Sequence, residues 1–255
     1  MKEKFAEVIE QFKKETEKEC YSISCIEGNP DILDDKIGGL PYLPIGEEYP
    51  KDKNGNPMPL LIQINLENID LENWPKTGTL EIFMEQGFNT SWPSDYKIKY
   101  FKNGLEYQTE FPNIDLSDFV LQDSIKIELK KDVCHMSLGD YRANNILIDI
   151  FNEIFDKNVT NTFDIDDVVE GYDWYSDMND SLNKPLANIG GYPDFTQQDP
   201  RYDKPDHMDE CLIKIDSYLD KRLQIGDSGI IFSFININDL KECKFENGHC
   251  DWDCC

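Results

Sequence analysis

Apolar and charged residues alternate with helical periodicity at the start of the chain. Phe5, Val8, Ile9 and Phe12 follow the i, i+3, i+4, i+7 spacing of one helical face, with charged residues between them. A partner-binding helix would carry the same stripe, but packing on the protein core is its commoner use. We therefore predict an N-terminal amphipathic helix within residues 1–20.

Short apolar runs with strand character follow this helix. Residues 21–26, 60–66 and 79–84 are rich in residues that favour strands, and the third run places Leu80, Ile82 and Met84 on one face. Residues 96–111 read YKIKYFKNGLEYQTEF. The Asn-Gly pair between two alternating segments predicts a hairpin with a type I′ turn.

The middle of the chain changes from apolar to acidic. Residues 145–155 concentrate large apolar side chains and predict a second helix, although the pattern also permits a strand at its start. Residues 161–183 contain seven Asp and Glu residues and no Lys or Arg. This composition predicts a solvated, partly helical connection between two halves, because a run of like charges remains in water.

One motif, Ile-Gly-Gly-x-Pro, occurs twice, at residues 37–41 and 189–193. LLIQINL and GTLEIFM follow the first copy, and CLIKIDS and GIIFSFI follow the second. Three ordered blocks at nearly one offset predict an internal duplication, with repeat cores 37–84 and 189–235. We expect an α+β, predominantly β fold in which halves 21–160 and 184–255 pack about a pseudo-two-fold axis as one compact domain.

The repeated glycines and prolines have a structural interpretation. Paired glycines permit positive φ angles or close approach of another segment, and the proline makes the residue before it extended. The structural motif residues are Gly38, Gly39, Pro41, Gly190, Gly191 and Pro193. A phosphate-binding loop is disfavoured, because neither copy contains GxGxxG or Gly-Lys-Ser/Thr.

The charge balance restricts the partners of the protein. The chain has 25 Lys and Arg against 51 Asp and Glu, a formal net charge of −26. Such a field repels nucleic acid and anionic membranes, and it attracts basic proteins and cations. Colloidal solubility explains the same charge without any partner. We expect no nucleic acid and no membrane among the partners.

Localisation follows from the N-terminal segment and the absence of long apolar runs. MKEKFAEVIEQFKKETEKE lacks the continuous apolar core of a signal peptide, and no run approaches the length of a membrane helix. We therefore expect a cytoplasmic protein. Because the cytosol disfavours structural disulfides, the eight cysteines are either free thiols or metal ligands.

Six motifs resemble those of the bacterial YwqG-like family, a widespread domain of unknown function. They are GG-x-P-x-LP, LLxQIN, a strand of the type Gly-Leu-x-x-Phe, GGYPxxxQxDPR, GDSG and Trp-Asp-Cys, here at residues 38–44, 60–65, 78–83, 190–201, 226–229 and 252–254. The resemblance covers residue 36 to the C-terminus and implies a largely β protein with two similar halves. It implies no established reaction. Family members occur near bacterial toxin and immunity genes, which implies a link to immunity.

Residues 226–229, Gly-Asp-Ser-Gly, look like the nucleophile loop of trypsin-like proteases. Such a serine needs a histidine base and a carboxylate to orient that base, and the three histidines, His135, His207 and His249, have no supporting sequence context. The counterpart in the first half, Lys76-Thr77-Gly78, also leads into a predicted strand. We interpret Asp227 and Gly229 as turn residues.

The C-terminal stretch CKFENGHCDWDCC offers thiols and an imidazole for Zn²⁺. The candidate ligands are Cys243, His249, Cys250 and Cys254. A C-x₂-C pair is missing and the last two cysteines are adjacent, so a core position for Trp252 with nearby free thiols is the favoured interpretation. The acidic run also lacks the glycine of an EF-hand loop. We expect no metal and no cofactor.

The strongest polar constellation is Gln197, Asp199 and Arg201. In an extended segment these alternate residues would share one side, and Arg201 could grip a carboxylate with two nitrogens. An arginine between aspartates is also a common structural ion pair. Gln63 and Asn65 repeat the polar theme in the first half. If a pocket exists, we expect Gln63, Gln197, Asp199 and Arg201 to line it near the pseudo-two-fold axis.

Two functions fit these features. The favoured one is a protein-binding module, in particular an immunity protein that inhibits a basic toxin, because the chain is acidic and has no persuasive catalytic motif. The alternative is an enzyme or small-ligand receptor that uses residues 190–201. The sequence predicts neither the partner nor the oligomeric state.

Overall fold

One antiparallel β-sheet dominates the computed structural model, which describes residues 1–87, 93–202 and 208–254. Within these residues the sheet has ten strands. They are β1 (Lys18–Ile26), β2 (Lys36–Gly38), β3 (Leu60–Asn65), β4 (Thr79–Met84), β5 (Tyr96–Phe101), β6 (Ser124–Cys134), β7 (Ala187–Gly190), β8 (Glu210–Asp216), β9 (Ile230–Ile235) and β10 (His249–Asp253). The predicted strands at 21–26, 60–66 and 79–84 are confirmed as β1, β3 and β4.

The strand order places the two longest strands at the centre of the sheet. The order is β10-β9-β8-β7-β1-β6-β2-β3-β4-β5, so β2 to β5 extend one flank and β7 to β10 the other. The sheet curves until its edges approach each other. The Tyr96 hydroxyl on β5 lies 3.1 Å from Nδ1 of His249 on β10. The sheet is therefore nearly closed.

The two flanks share local features. The register of β3 shifts between Leu60 and Ile62, and that of β8 shifts between Cys211 and Ile213. A short 3-10 turn follows each strand, at Leu66–Asn68 and Ser217–Leu219. A bulge inserts an extra residue and bends the strand, so each flank bends at an equivalent position.

Strand periodicity places the main hydrophobic core on the concave side of the sheet. Leu80, Ile82 and Met84 all contribute to one buried cluster, as their spacing predicts. Ile213 and Ile215 of β8 join the same cluster from the other flank. One core therefore connects both flanks, because alternate residues of each strand face the same side.

Four helices form a layer beyond the Lys18 and Cys134 ends of the central strands. They are α1 (Lys2–Thr16), α2 (Ala143–Phe155), α3 (Phe163–Val168) and α4 (Trp174–Ser181). Phe5 of α1 packs on Phe151 and Trp174, with ring centroids 6.2 and 5.8 Å away. The predicted N-terminal helix and second helix are confirmed as α1 and α2. A fifth helix, α5 (Ile237–Lys241), lies between β9 and β10.

The segment 161–183 differs from the expected solvated connection. It contains α3 and α4, and Ile165, Val169, Trp174 and Met178 are buried in the helical layer. Most of its carboxylates remain on the outside. Apolar residues between the charges therefore pack this segment against α1 and α2. The expectation of a solvated connection rested on the charges and did not consider these apolar residues.

The predicted Asn-Gly hairpin is wrong. Residues 102–105 make a turn, but the chain after Gly104 pairs with residues 42–45 instead of returning along β5. Ile45 N donates to Glu106 O at 2.9 Å and Gln108 N donates to Leu43 O at 2.8 Å. These backbone hydrogen bonds to a distant segment replace the hairpin ladder.

Both glycine pairs adopt positive φ angles, as predicted. The angles are +70° and +79° at Gly38 and Gly39, and +68° and +66° at Gly190 and Gly191. Close approach also matters, since a Cβ on Gly191 would overlap Sγ of Cys134. Pro41 and Pro193 are buried after these turns. Among the described residues, no helix has the length and apolar character to cross a membrane.

Candidate functional site

Arg201 forms the centre of a buried ion-pair network. Its Nη2 lies 2.8 Å from Oδ2 of Asp140 and 2.7 Å from Oδ2 of Asp199, and its Nε lies 2.9 Å from Oδ1 of Asp199. The guanidinium stacks over the Phe234 ring at 4.3 Å. The Arg201 side chain is 5 % exposed. Two carboxylates thus already occupy the fork that we expected to grip a ligand.

Arg142 extends this network towards α2. Its Nε and Nη2 lie 2.8 and 2.7 Å from the two carboxylate oxygens of Asp140. Burial would raise the pKa of Asp140, but the hydrogen bonds from Arg142 and the charge of Arg201 hold that pKa below its usual value. Asp140 is therefore a shared carboxylate that pairs with both Arg142 and Arg201 and holds their segments together.

The residues around Asp199 and Arg201 form a turn and not the extended segment that the sequence analysis predicts. Arg201 N donates to Oδ1 of Asp199 at 2.9 Å, and Tyr202 N donates to Asp199 O at 3.2 Å. This Asx turn breaks the alternation. Gln197 therefore lies elsewhere, with its Nε2 donating to the carbonyl oxygen of Cys254.

Gln63 lies in a second buried polar group, on the first flank. Lys36, Gln63 and Glu81 are neighbours across β2, β3 and β4, and we call them the buried polar row. Gln63 Oε1 and Glu81 Oε1 both accept from Tyr42 N, each at 2.7 Å. Gln63 Nε2 donates to Ile32 O at 2.6 Å. The row fastens residues 31–42 to the convex face of the sheet.

The buried polar row contains an acid and a base with displaced pKa values. Burial lowers the pKa of Lys36 to about 8 and raises the pKa of Glu81 to about 8, and the opposite charge of each partly offsets the shift of the other. Glu81 Oε2 has no hydrogen-bond partner among the described residues. At neutral pH a protonated Glu81 removes the cost of burying an unpaired charge.

The structure thus brings Asp199 and Arg201 together but does not bring Gln63 to them. The partners of Gln63 are Ile32, Asp34 and Tyr42, whereas those of Arg201 are Asp140, Asp199 and Met208. The sequence did not indicate Asp140, Arg142 or Glu81, because no local motif marks them. Their roles arise from contacts between distant segments.

A groove on the helical layer is a further candidate site. It encloses a cavity of about 300 Å³. The lining residues are Leu138, Asn144, Leu147, Thr162, Phe163, Asp166, Trp174 and Tyr175. Phe163 is 82 % exposed and Tyr175 is 55 % exposed. We call this cavity the aromatic groove.

The Asp166 carboxylate lines the aromatic groove, and six further Asp and Glu residues belong to the same segment, 161–183. Asp166 Oδ1 accepts from the Trp174 indole nitrogen at 2.6 Å, which fixes the Trp174 ring beside a negative charge. Of the seven acidic residues in 161–183, Asp177 makes the one ion pair within the described chain, with Lys2 at 2.9 Å. The groove therefore combines apolar rings with uncompensated negative charge. Aromatic residues inside the acidic run, such as Phe163 and Tyr175, are the sequence signal for this groove.

Residues 35–254 match the model of a family described as a domain of unknown function, DUF1963. The match covers most of the chain. The chain belongs to the DUF1963 family. No curated protein matches it. The narrower YwqG-like resemblance stays a prediction.

The DUF1963 match includes the Arg201 network, the buried polar row and the aromatic groove, but it leaves out α1 and β1. It begins just before β2 and ends after β10, so it contains nine of the ten described strands. β1 nevertheless pairs with both β6 and β7 at the centre of the sheet. The residues before the DUF1963 match are thus integral to this fold.

The Gly-Asp-Ser-Gly stretch of the DUF1963 domain is a turn against β10. Tyr218 Oη donates to Ser228 Oγ at 3.2 Å. His135 accepts from Asn183 N, and His249 contacts Tyr96, so neither of these histidines bonds to Ser228. His207 lies outside the described residues. The nucleophile hypothesis gains no support from this arrangement.

The candidate zinc ligands occupy different environments. Cys250 is buried in the sheet core, whereas Cys243 and Cys254 are partly exposed. His249 Nδ1 lies beside the Tyr96 hydroxyl. The described residues contain no group of three or more His, Cys, Asp or Glu that could hold a metal ion. Trp252 packs in the main core.

Proposed function

We propose that this DUF1963 protein is a protein-binding module that captures a basic partner through the helical layer. One observation carries the proposal. Phe163 and Tyr175 are exposed beside a cavity in a segment with seven carboxylates and no Lys or Arg. Exposed aromatic residues supply apolar contact area, and the carboxylates supply electrostatic attraction.

The charge of the whole chain favours fast association with such a partner. A net charge of −26 attracts cationic proteins over long distances, and salt screens that attraction. The proposal includes an immunity protein that neutralises a basic toxin in the cytoplasm. An acidic surface can occupy the cationic site that a toxin uses for nucleic acid.

We also propose that the two flanks arose by internal duplication about a pseudo-two-fold axis. The strand order supports this, because four strands extend on each side of the β1–β6 pair. The equivalent bulges in β3 and β8, each followed by a 3-10 turn, give further support.

A second candidate function is a small-ligand receptor on the second flank. No hydrogen bond or ion pair joins the Lys214 ammonium to a described residue, although this side chain is buried on β8. Burial lowers the pKa of Lys214 while the Asp194 carboxylate opposes that shift, and a small anion beside the ammonium would oppose it further. This candidate predicts that Lys214→Met abolishes binding of that anion while the protein stays folded.

A pull-down with two charge variants tests the protein-binding function. Asp167→Asn, Glu170→Gln and Asp180→Asn together remove three exposed charges from the helical layer. The control variant removes three exposed charges elsewhere, through Glu47→Gln, Glu48→Gln and Glu72→Gln. The tagged proteins are incubated with host lysate at low and high salt, and retained proteins are identified by mass spectrometry.

We expect the wild type and the control to retain one basic protein at low salt, and the helical-layer variant to lose it. Equal loss from both variants would show that net charge alone causes retention. Retention of nothing at any salt concentration would contradict the protein-binding function.

A further inference from the structure

The aromatic groove has the composition of a site for a single cationic side chain. Three aromatic residues, Phe163, Trp174 and Tyr175, line it together with the Asp166 carboxylate. The Trp174 and Tyr175 rings meet nearly edge to face, with centroids 5.7 Å apart and an interplanar angle of 76°. In such an edge-to-face pair the edge of one ring contacts the face of the other, which is a favoured arrangement of aromatic rings.

The electrostatics of these groups favour a cation over a neutral apolar group. The face of an aromatic ring is negative, and tryptophan attracts cations most strongly. Asp166 uses Oδ1 for the Trp174 indole, which leaves Oδ2 available to a ligand. Among the described residues, no Lys or Arg lines the groove. The site therefore lacks a cation of its own.

The size of the groove restricts the ligand to about one side chain. Its volume of about 300 Å³ lies at the lower limit of the range of small-molecule pockets. Leu138 and Leu147 contribute apolar walls that suit a methylene chain. A long side chain with an apolar stem and a charged end has this combination of properties.

We propose that the aromatic groove binds a lysine or arginine side chain of the basic partner and thereby anchors it. This inference rests on the proposed function for its partner, but the groove can be tested without that partner. The anchor would place its cationic end among the three rings and beside Asp166 Oδ2. The surrounding carboxylates would contact further basic residues of the same partner segment.

Blocked amino acids provide the direct test. N-acetyl-lysine methylamide and N-acetyl-arginine methylamide are titrated into protein labelled with 5-fluorotryptophan, and ¹⁹F NMR follows the Trp174 resonance, assigned with Trp174→Phe. N-acetyl-norleucine methylamide is the neutral control of similar length. We expect a saturable shift with lysine or arginine, and at least tenfold weaker binding of norleucine. Equal binding of all three would overturn the inference, since the site would then be merely apolar.

Three variants locate the binding to the groove. Phe163→Ala should weaken lysine or arginine binding about three- to thirtyfold, the range expected for a cation–π contact. Asp166→Asn keeps an acceptor for the Trp174 indole and removes the charge, so we expect a loss of about two- to fivefold. Tyr218→Ala removes an aromatic residue that is 71 % exposed outside the groove, and it should change nothing. Unchanged binding in the Phe163 variant would overturn the inference.

The same variants separate the two proposals. If blocked lysine binds but no basic partner is captured, the protein-binding function fails and the cation site stands. If a partner is captured and Phe163→Ala does not weaken its retention, the partner binds without this anchor and the inference fails. Loss of retention with Phe163→Ala, but not with Tyr218→Ala, supports both.

Discussion

The Arg201 guanidinium lies 2.8 Å from the Asp140 carboxylate, although 61 residues separate them along the chain. Asp140 precedes α2, and Arg201 follows the second glycine pair. One buried ion pair therefore joins the helical layer to the turn after β7. In this position Arg201 acts as a clamp between the two segments, because two carboxylates of the protein itself pair with its guanidinium.

Arg201→Ala should destabilise the protein strongly, because it leaves Asp140 and Asp199 buried with fewer partners. We expect a loss of about 3–5 kcal/mol in the free energy of unfolding, measured by urea denaturation. Arg201→Lys should recover little of it, since one ammonium cannot reproduce the fork. Arg222→Ala removes an exposed arginine that pairs with Asp220, and it should cost less than about 1 kcal/mol. Similar losses in the Arg201 and Arg222 alanine variants would contradict the clamp.

The buried polar row should produce a minimum of stability near pH 8. The pKa of Glu81 rises from 4.5 to about 8 on folding, so its favourable contribution is complete below pH 4.5 and is lost as pH rises towards 8. The pKa of Lys36 falls from 10.5 to about 8, so its contribution is complete above pH 10.5 and is lost as pH falls towards 8. Chemical denaturation at several pH values measures this profile.

Glu81→Gln isolates the acid arm of that profile. The amide is uncharged at every pH, so the variant should lose the decline of stability between pH 4.5 and 8, a slope of up to about 1.4 kcal/mol per pH unit. Glu72→Gln at an exposed position is the matched control and should keep the wild-type slope. Parallel wild-type and Glu81→Gln profiles would mean that Glu81 does not titrate in this range.

Gly191→Ala should be far more damaging than alanine at an open glycine. The new Cβ would overlap Cys134 Sγ and lie 2.8 Å from Cβ of Cys20. Gly104 has a similar φ of +76° with nothing within 4 Å, so Gly104→Ala should show only the positive-φ cost of about 1–2 kcal/mol. Overpacking should add about 1–3 kcal/mol at Gly191. Equal changes in melting temperature would argue against the close approach.

The thiols should differ in their rates of alkylation in the native protein. Cys243 and Cys254 are partly exposed and should react first with iodoacetamide at pH 8. Cys25 is also partly exposed, but burial raises the pKa of its thiol to about 11 and should slow it. The buried cysteines should react only on unfolding, namely Cys20, Cys134, Cys211 and Cys250. Peptide mass spectrometry measures each rate, and early labelling of Cys20 would contradict the buried positions.

Local periodicity correctly predicted the helices and strands that form whichever distant segment they pack against. The apolar stripe of α1 and the alternation of β4 depend on helix and strand geometry alone, and both appear where the sequence places them. The Asn103-Gly104 hairpin failed because residues 42–45 compete for the same backbone groups. A sequence pattern cannot rank a local partner against a distant one.

The candidate sites could also be predicted only in part, because some of their residues come from distant segments. Asp199 and Arg201 belong together as the sequence indicated, but their third partner, Asp140, comes from a distant loop. The aromatic groove needs α3 and α4 to fold against α2 before Phe163 and Tyr175 become neighbours of one cavity. Long-range packing thus decided which polar and aromatic residues meet.

The central position of β1 has a consequence for synthesis of the chain. β1 leaves the ribosome before the other nine described strands, yet its neighbours β6 and β7 begin at Ser124 and Ala187. Until then its backbone groups have no native strand beside them, and unpaired strand edges invite association with other chains. Closing such long loops also slows folding. We expect nascent chains of this protein to depend on chaperones until β7 has been made.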